Sequence, residues 1–439
     1  MDIFWFRRDL RLHDNAGLYH ALKKGKDVQC IFIFDTNILD KLENKADPRV
    51  TFIHQAIQEL KTELNDLGSD LSVYYGDPLT IWKDILAKNK IVSIYTNRDY
   101  ERYANKRDES IAGLARSSNV YFNTFKDHVI FEGGEILKDD GDPYVVFTPY
   151  KRKWLAKLDS KKKNKLSYYF QSYPTKKYVE NLNNVKESTR MIPLGEMGFQ
   201  ESNIPIPEKE VKQKLIKNYG DDRNYPSKEA TSKLGVHFRF GTISIREKAL
   251  KASKLSDVFL SELIWRDFYA QILHHFPHVE KGPFRKKYEA LEWRNNEQEF
   301  EAWCKGQTGY PIVDAGMREL NTTGFMHNRV RMVTASFLTK HLLIDWRWGE
   351  AYFAEKLLDF DLASNNGGWQ WAAGCGTDAA PYFRIFNPES QQKKFDKEHK
   401  YIKQWVPEWG TEQYASPIVD HKEARERCLR VYKEALQNV

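Results

Sequence analysis

The spacing of apolar residues changes once along this chain, and that change restricts it to two kinds of packing. Over residues 1–127 short apolar runs (DIFWF, VQCIFIFD, LSVYYGD, IVSIYT, NVYFNTF) alternate with amphipathic stretches. Two of those stretches, 52–67 (FIHQAIQELKTELNDL) and 79–88 (LTIWKDILAK), carry apolar residues three and four apart, as crossover helices do. This rhythm predicts a parallel, doubly wound, Rossmann-like sheet with right-handed connections. No G-x-G-x-x-G follows the first run, so a dinucleotide is not expected in this part. From 206 to the end the alternation is gone and helical spacing dominates, at 257–275, 312–322, 328–341 and 349–358. The expected fold class is α/β followed by all-α. It comprises a sheet domain (1–127), a connection and linker (128–205) whose later part is rich in Lys, Asn, Ser and Tyr, and a helical domain (206–439).

Composition narrows the partners. At 41% apolar and 29% charged residues the chain is globular, and no apolar run approaches the roughly 20 residues of a membrane span, so no membrane association is expected. Arg7, Arg8 and Asp9 stand where an export signal needs an apolar stretch, which predicts a cytoplasmic protein. Cys30, Cys304, Cys375 and Cys428 lie far apart without a C-x-x-C pair and read as reduced thiols, with no metal site. A net charge of +7 suits a polyanionic partner without demanding one.

The densest chemistry lies between 325 and 388. In FMHNRVRM, Asn328 and Met332 share a helix face with Phe325 one turn earlier, while Arg331 points about 100° away from Met332. Such a helix can present an amide and a thioether to one ligand and a guanidinium to another; an ordinary helix with one apolar stripe fits the same residues. Asp359 and Asp361 precede Asn365, Asn366, Gly367 and Gly368, and paired glycines admit close backbone approach by something flat or phosphorylated, although turn chemistry also explains them. Trp369 and Trp371, two apart, face different ways.

These strings, with FWFRRDLRLHDNAGL near the start, TSKLGVHFRFGTIS (231–244) and SELIWRDFY (261–269), resemble the photolyase and cryptochrome family over about residues 2–420. The stretch TGYPIVDAGMRELNTTGFMHNRVRM through YFRIFNP is most similar to photolyases that repair cyclobutane pyrimidine dimers in microbes. The resemblance implies an α/β domain joined to a helical domain that holds FAD, and light-driven splitting of such dimers in UV-damaged DNA. A monomer is the default expectation.

Position by position, the resemblance implies that Tyr219, Thr231, Ser232 and Leu234 meet the diphosphate and ribitol of FAD, with Gly235 where relatives often carry Ser. It implies that Arg331 pairs with Asp359, that Asp359 and Asp361 face the polar edge of the isoalloxazine, and that Asn365 lies near flavin N5. Glu262 matches the catalytic acid and Trp265 the residue that stacks on the flipped lesion. Asn328, Met332 and Trp371 line the same pocket, Asn328 also reaching toward the flavin. Trp369, Trp346 and Trp293 match an electron relay to the flavin, and Arg223, Arg329 and Arg384 match phosphate contacts.

Relatives that repair (6-4) products carry histidines where this chain has Asn328 and Met332, so cyclobutane dimers are the expected lesion. Phe259 and Phe325 replace tryptophans, and Ala104 replaces a glutamate that folate-using relatives carry. A second, antenna chromophore is therefore a folate held differently, a deazaflavin, a flavin, or absent. The alternative reading is a cryptochrome-type blue-light photoreceptor without repair; such proteins often carry a long tail, whereas about 20 residues follow Pro417.

Overall fold

The computed structural model describes residues 1–160, 162–163, 166–185 and 187–437. It divides into two compact units, each built from separate pieces of chain. The first comprises Met1–Glu132, Trp154–Lys209 and Leu234–Lys254; the second comprises Gly133–Lys153, Glu210–Lys233 and Leu255–Val439.

In the first unit five strands, β1 (Asp2–Phe6), β2 (Val28–Asp35), β3 (Leu71–Gly76), β4 (Ser93–Asn97) and β5 (Tyr121–Phe125), pair in parallel in the order β3-β2-β1-β4-β5. This is the doubly wound sheet that the alternating rhythm predicts. Side chains along β1 and β2 alternate between faces: Phe4, Phe6, Phe32 and Phe34 enter one core, Ile3, Trp5, Ile31 and Ile33 the other. The crossover helices α1 (Ala16–Lys24), α2 (Pro48–Asp66), α3 (Pro78–Lys88) and α4 (Arg102–Ser117) cover both faces. Helix α2 starts four residues before the expected 52, because Asp47 caps it and Pro48 supplies the preset first-turn φ. Ala104 is buried within α4. Between β1 and β4, where the strand order reverses, the polar side chains satisfy one another: Asn97 Nδ2 donates to Asp9 (2.6 Å) and to Asn15 (2.8 Å).

The stretch expected to be a linker behaves differently. Residues 154–209 cluster with the sheet, and Leu182, Met197 and Phe199 lie buried among the phenylalanines of β1 and β2. Its apolar residues are too irregularly spaced to form a long helix or strand, yet burying each stabilises the unit by about 1.5–3 kcal/mol, enough to hold an irregular chain against the sheet. Lys161, Asn164, Lys165 and Lys186 of that stretch lie outside the described residues.

The second unit is helical. Among its helices are α5 (Asp257–His275), α6 (Asn328–Ser336), α7 (Trp346–Lys356), α8 (Leu362–Ala373) and α9 (His421–Gln437). They enclose a core that includes Trp303, Phe337, Leu338, Phe353 and Trp369. The expected helix 328–341 stays α-helical only to Ser336 and then widens into a π-turn over Phe337–His341. Phe325 lies before α6, not one turn inside it, because His327 is the capping residue. No described helix is long and apolar enough to cross a membrane.

Candidate functional site

Helix α6 carries the centre of the candidate site. His327 caps it, its Nδ1 accepting the Arg329 N–H at 3.2 Å, and this sets where Asn328, Arg331 and Met332 emerge. Asn328 is exposed, and Arg331 and Met332 are half-buried. Arg331 Nη2 donates to both carboxylate oxygens of Asp359 (3.0 and 3.1 Å) and Arg331 Nε to the Met326 carbonyl (2.7 Å), so the expected pair is present. Asp361 caps α8 by accepting the Ser364 N–H at 3.1 Å.

One turn into α8, Asn365 Nδ2 donates to the backbone carbonyl and to Oε1 of Glu350 (3.1 and 2.9 Å), leaving its own carbonyl as the group that can meet a ligand. Burial pushes the Glu350 carboxyl up from its usual range, with Asn365 opposing. No sequence pattern singled out Glu350, which lies 15 positions away on α7.

The paired glycines serve packing more than a ligand. A Cβ on Gly367 would lie 2.2 Å from Tyr269 Cε1 on α5, so this glycine admits the tyrosine ring, whereas Gly368 faces open space. The turn that would also explain N-N-G-G is not formed: these residues lie within the continuous helix α8.

Because His327 must keep a lone pair on Nδ1 to hold the cap, its charge state matters. Burial, with Arg331, Arg329 and Arg223 alongside, pushes its imidazole down to about 4. The folded state therefore binds fewer protons than the unfolded chain. The contribution is fully present above the unfolded pKa near 6.5 and is lost as pH falls toward 4. At pH 5 the loss is about 2 kcal/mol. His327→Asn keeps a capping acceptor without the titration, and should gain on the parent by about that amount between pH 7 and 5 in denaturant melts.

Helix α5 carries the second group. Glu262 and Trp265 lie on it three apart, as the spacing requires. Glu262 Oε1 accepts a hydrogen bond from Arg223 Nη1, and the Arg223 guanidinium also lies 5.4 Å from the Tyr219 ring. Tyr219 in turn packs edge-on against Phe259 at 5.1 Å, and burial together with the Glu262 charge pushes its phenol up to about 12. Arg223, expected as a phosphate contact, is thus turned toward Glu262.

Trp265 is stacked on Phe147, with ring centroids 3.7 Å apart and planes 7° apart, so one face of the indole is already covered. Phe147 escaped sequence reading because it lies more than a hundred positions from its partner. Arg329 donates to Asn224 Oδ1 (2.8 Å) and lies 4.3 Å from the Phe395 ring, while Arg384 is exposed. Trp371 is half-buried, with its ring 6.4 Å from that of Phe386. Thr231 and Ser232 are half-buried in the second unit; Leu234 and Gly235 belong to the first, where Leu234 is buried at the start of the short helix Gly235–Phe240.

The three tryptophans expected to form a relay sit in or against the helical core. Trp369 packs edge-on to Phe353 (5.0 Å) and Trp303 (6.0 Å). Trp346 opens α7 almost fully buried, and Trp293 is half-buried with its ring 6.2 Å from Tyr432. Trp293 and Trp346 line one cleft of about 180 Å³. Gly349 makes room for Trp369, since a Cβ there would lie 2.1 Å from its Cη2 and 2.6 Å from Leu338 Cδ2. Gly349→Ala should cost about 1–3 kcal/mol of stability through overpacking, and by displacing the indole should slow light-driven flavin reduction. Melting and photoreduction of the same preparation check both.

The site chemistry fits FAD: a guanidinium–carboxylate pair, a fixed amide with a spare carbonyl, half-buried hydroxyls, and the Phe259 and Phe325 rings as apolar walls. The comparisons agree. Residues 2–167 match the family model described as DNA photolyase, and residues 259–412 the FAD binding domain of DNA photolyase. A deoxyribodipyrimidine photo-lyase of Halobacterium salinarum is 36% identical, over 99% of both chains. This chain belongs to the photolyase and cryptochrome family.

Two solved photolyases share its fold. The class III photolyase of Agrobacterium tumefaciens superposes with a TM-score of 0.84 at 30% identity, covering 99% of this chain and 97% of its own. The archaeal photolyase of Sulfolobus tokodaii, solved with two FAD molecules, gives 0.82 at 34% identity, covering 99% and 100%. Family membership thus joins a DNA photolyase sheet domain to an FAD-binding helical domain, in the order in which the two apolar periods occur.

Proposed function

We propose that this chain is a deoxyribodipyrimidine photo-lyase that uses light to split cyclobutane pyrimidine dimers in UV-damaged DNA. The observation that carries the reading is that the stretch matching the FAD binding domain of DNA photolyase holds Glu262 and Trp265 one turn apart on α5, with Trp265 backed by Phe147, and Asn328 and Met332 one turn apart on α6. The share of chain common to relatives named for this activity supports it.

FAD bound in this unit supplies the light-excited electron donor. Arg331 and Asp359 hold its polar edge, Asn365 presents a carbonyl to the ring system, and Thr231 and Ser232 serve the phosphate end. Trp265, fixed from behind by Phe147, offers its free face to a base extruded from the duplex. Glu262, released by Arg223 and carrying a proton, donates its O–H to the carbonyl of that base as negative charge develops there. Asn328, Met332 and Trp371 complete the walls. Neither position 328 nor 332 offers the proton donor that (6-4) chemistry needs, and splitting a cyclobutane ring requires none.

Trp369, Trp346 and Trp293 pass electrons inward from the surface, and Arg384 and Arg329 meet DNA phosphates, so binding weakens steeply with salt. The helical domain (206–439) carries the flavin and DNA sites and the sheet domain (1–127) an antenna. The two FAD molecules of the Sulfolobus structure support a second light-harvesting chromophore here. The protein acts as a cytoplasmic monomer.

The test is repair of an oligonucleotide holding one thymine cyclobutane dimer by photoreduced protein, with dark and (6-4) controls. Restoration in light of the cyclobutane lesion alone is the expected outcome. A bound, photoreducible flavin without repair would replace this reading with that of a cryptochrome-type photoreceptor.

A further inference from the structure

The cleft that Trp293 and Trp346 share is unusual in what surrounds it. At about 180 Å³ it exceeds the roughly 150 Å³ of an engineered cavity that takes up benzene. Its walls are the two indoles, Tyr288 and Leu291, and its charged lining is Glu289, Asp345 and Arg347. Arg347 Nη1 donates to Asp345 Oδ2 at 2.9 Å, and against the Tyr288 wall stand Arg285 and, 5.9 Å from its ring, Lys287 Nζ, so cations offset the two carboxylates. Behind Trp293 the route is blocked. Tyr432 touches it edge-on, but Lys340 Nζ lies 3.7 Å from the centre of the Tyr432 ring. The Tyr432 O–H also donates to the Ala373 carbonyl (2.9 Å), which cannot take up its proton. Oxidising Tyr432 would place a positive ring beside an ammonium with nowhere to send the proton. The cleft's own sulfur, Cys375, is held as an unreactive thiol, burial pushing it up to about 12. A positive charge on Trp293 therefore does not move on to Tyr432, and the open side is the cleft.

We propose that this cleft is a docking site for a small uncharged phenol or hydroquinone, which refills the relay after each photoreduction. The proposal rests on the relay reading of Trp293 and Trp346. The volume admits one ring, the half-buried Trp293 indole supplies a face for it to stack on, and the offset charges of the lining give an anionic reductant no advantage over a neutral one. The step balances: the phenol gives one electron to the oxidised Trp293 ring, restoring the neutral indole. Its O–H proton passes to the Glu289 carboxylate and from there to water, and the product is a phenoxyl radical that leaves.

The test uses the full-length protein reconstituted with FAD and 4-methoxyphenol as the probe. Laser-flash decay of the tryptophan radical should accelerate with phenol and level off at millimolar concentration, whereas with ascorbate, an anion, it should rise linearly without a plateau. Glu289→Gln should lower the plateau rate severalfold while leaving the initial radical yield unchanged, and Glu289→Asp should restore part of it. A strictly linear dependence on 4-methoxyphenol, or a plateau indifferent to Glu289→Gln, overturns the proposal. Quenching of indole fluorescence by the same phenol in the dark reports docking without photochemistry. Saturable quenching with no radical after the flash would sink the relay reading and the donor role while upholding the docking site; no saturable quenching overturns the docking site itself.

Discussion

Arg331→Ala protein should purify nearly colourless. The guanidinium holds Asp359 through two contacts and the Met326 carbonyl through a third, tying the start of α6 to the segment that leads into α8. Truncation removes the cation and leaves the Asp359 carboxylate, four-fifths buried, without its partner. Removing one partner of a fully buried pair costs about 3–5 kcal/mol. With both side chains partly solvated here, about 2–3 kcal/mol is the better expectation, a 30- to 150-fold weaker hold on FAD. The ratio of flavin to protein absorbance after dialysis measures it. Arg331→Lys keeps the charge but not the forked geometry and should fall between. A fully yellow Arg331→Ala protein would remove this pair from the flavin site.

Glu262→Ala is expected to slow dimer splitting about 10- to 100-fold, the equivalent of the ~1.5–3 kcal/mol that a hydrogen bond to a charged group contributes. Lesion binding should weaken less than tenfold, because Trp265 and its Phe147 backing are untouched. A second signature comes from Arg223, which the carboxylate now engages. Freed of it, Arg223 can meet a phosphate, and the slope of log affinity against log salt should steepen by up to about 0.9. Dimers repaired per absorbed photon and binding titrations at several salt concentrations separate the two effects. Unchanged repair per photon would remove Glu262 from the chemistry.

Local features were legible in the sequence. The strands of the sheet and helix α5 fall where the apolar period puts them, and Asp359 meets Arg331 as the family motif implies. What escaped was set by partners distant along the chain. Glu350 holds Asn365 from another helix, and Phe147 backs Trp265 from a segment outside the helical stretch. Gly367 reads as a ligand-binding glycine until the Tyr269 ring is seen against it. The later part of 128–205 looks like a linker because irregular backbone carries no period, although Leu182, Met197 and Phe199 are buried among the side chains of β1 and β2. Periodicity reports one element at a time, whereas these contacts depend on which elements the topology brings together.

The interlaced division of the chain also dictates an order of events during synthesis. Phe147 leaves the ribosome about 120 residues before Trp265, which at 5–20 residues per second is a wait of roughly 6 to 24 seconds. Until Glu210 is made Gly133–Lys153 has no other piece of its unit to pack against, and most of that unit follows Leu255. A nascent chain stopped before α5 therefore holds an unfinished second unit however well its sheet has formed. A fragment begun at 206 meets the converse problem and exposes the face of Trp265 that Phe147 should cover. Neither half is a module to be cut free or grafted, and the light-dependent chemistry becomes available only once nearly the whole polypeptide has been made.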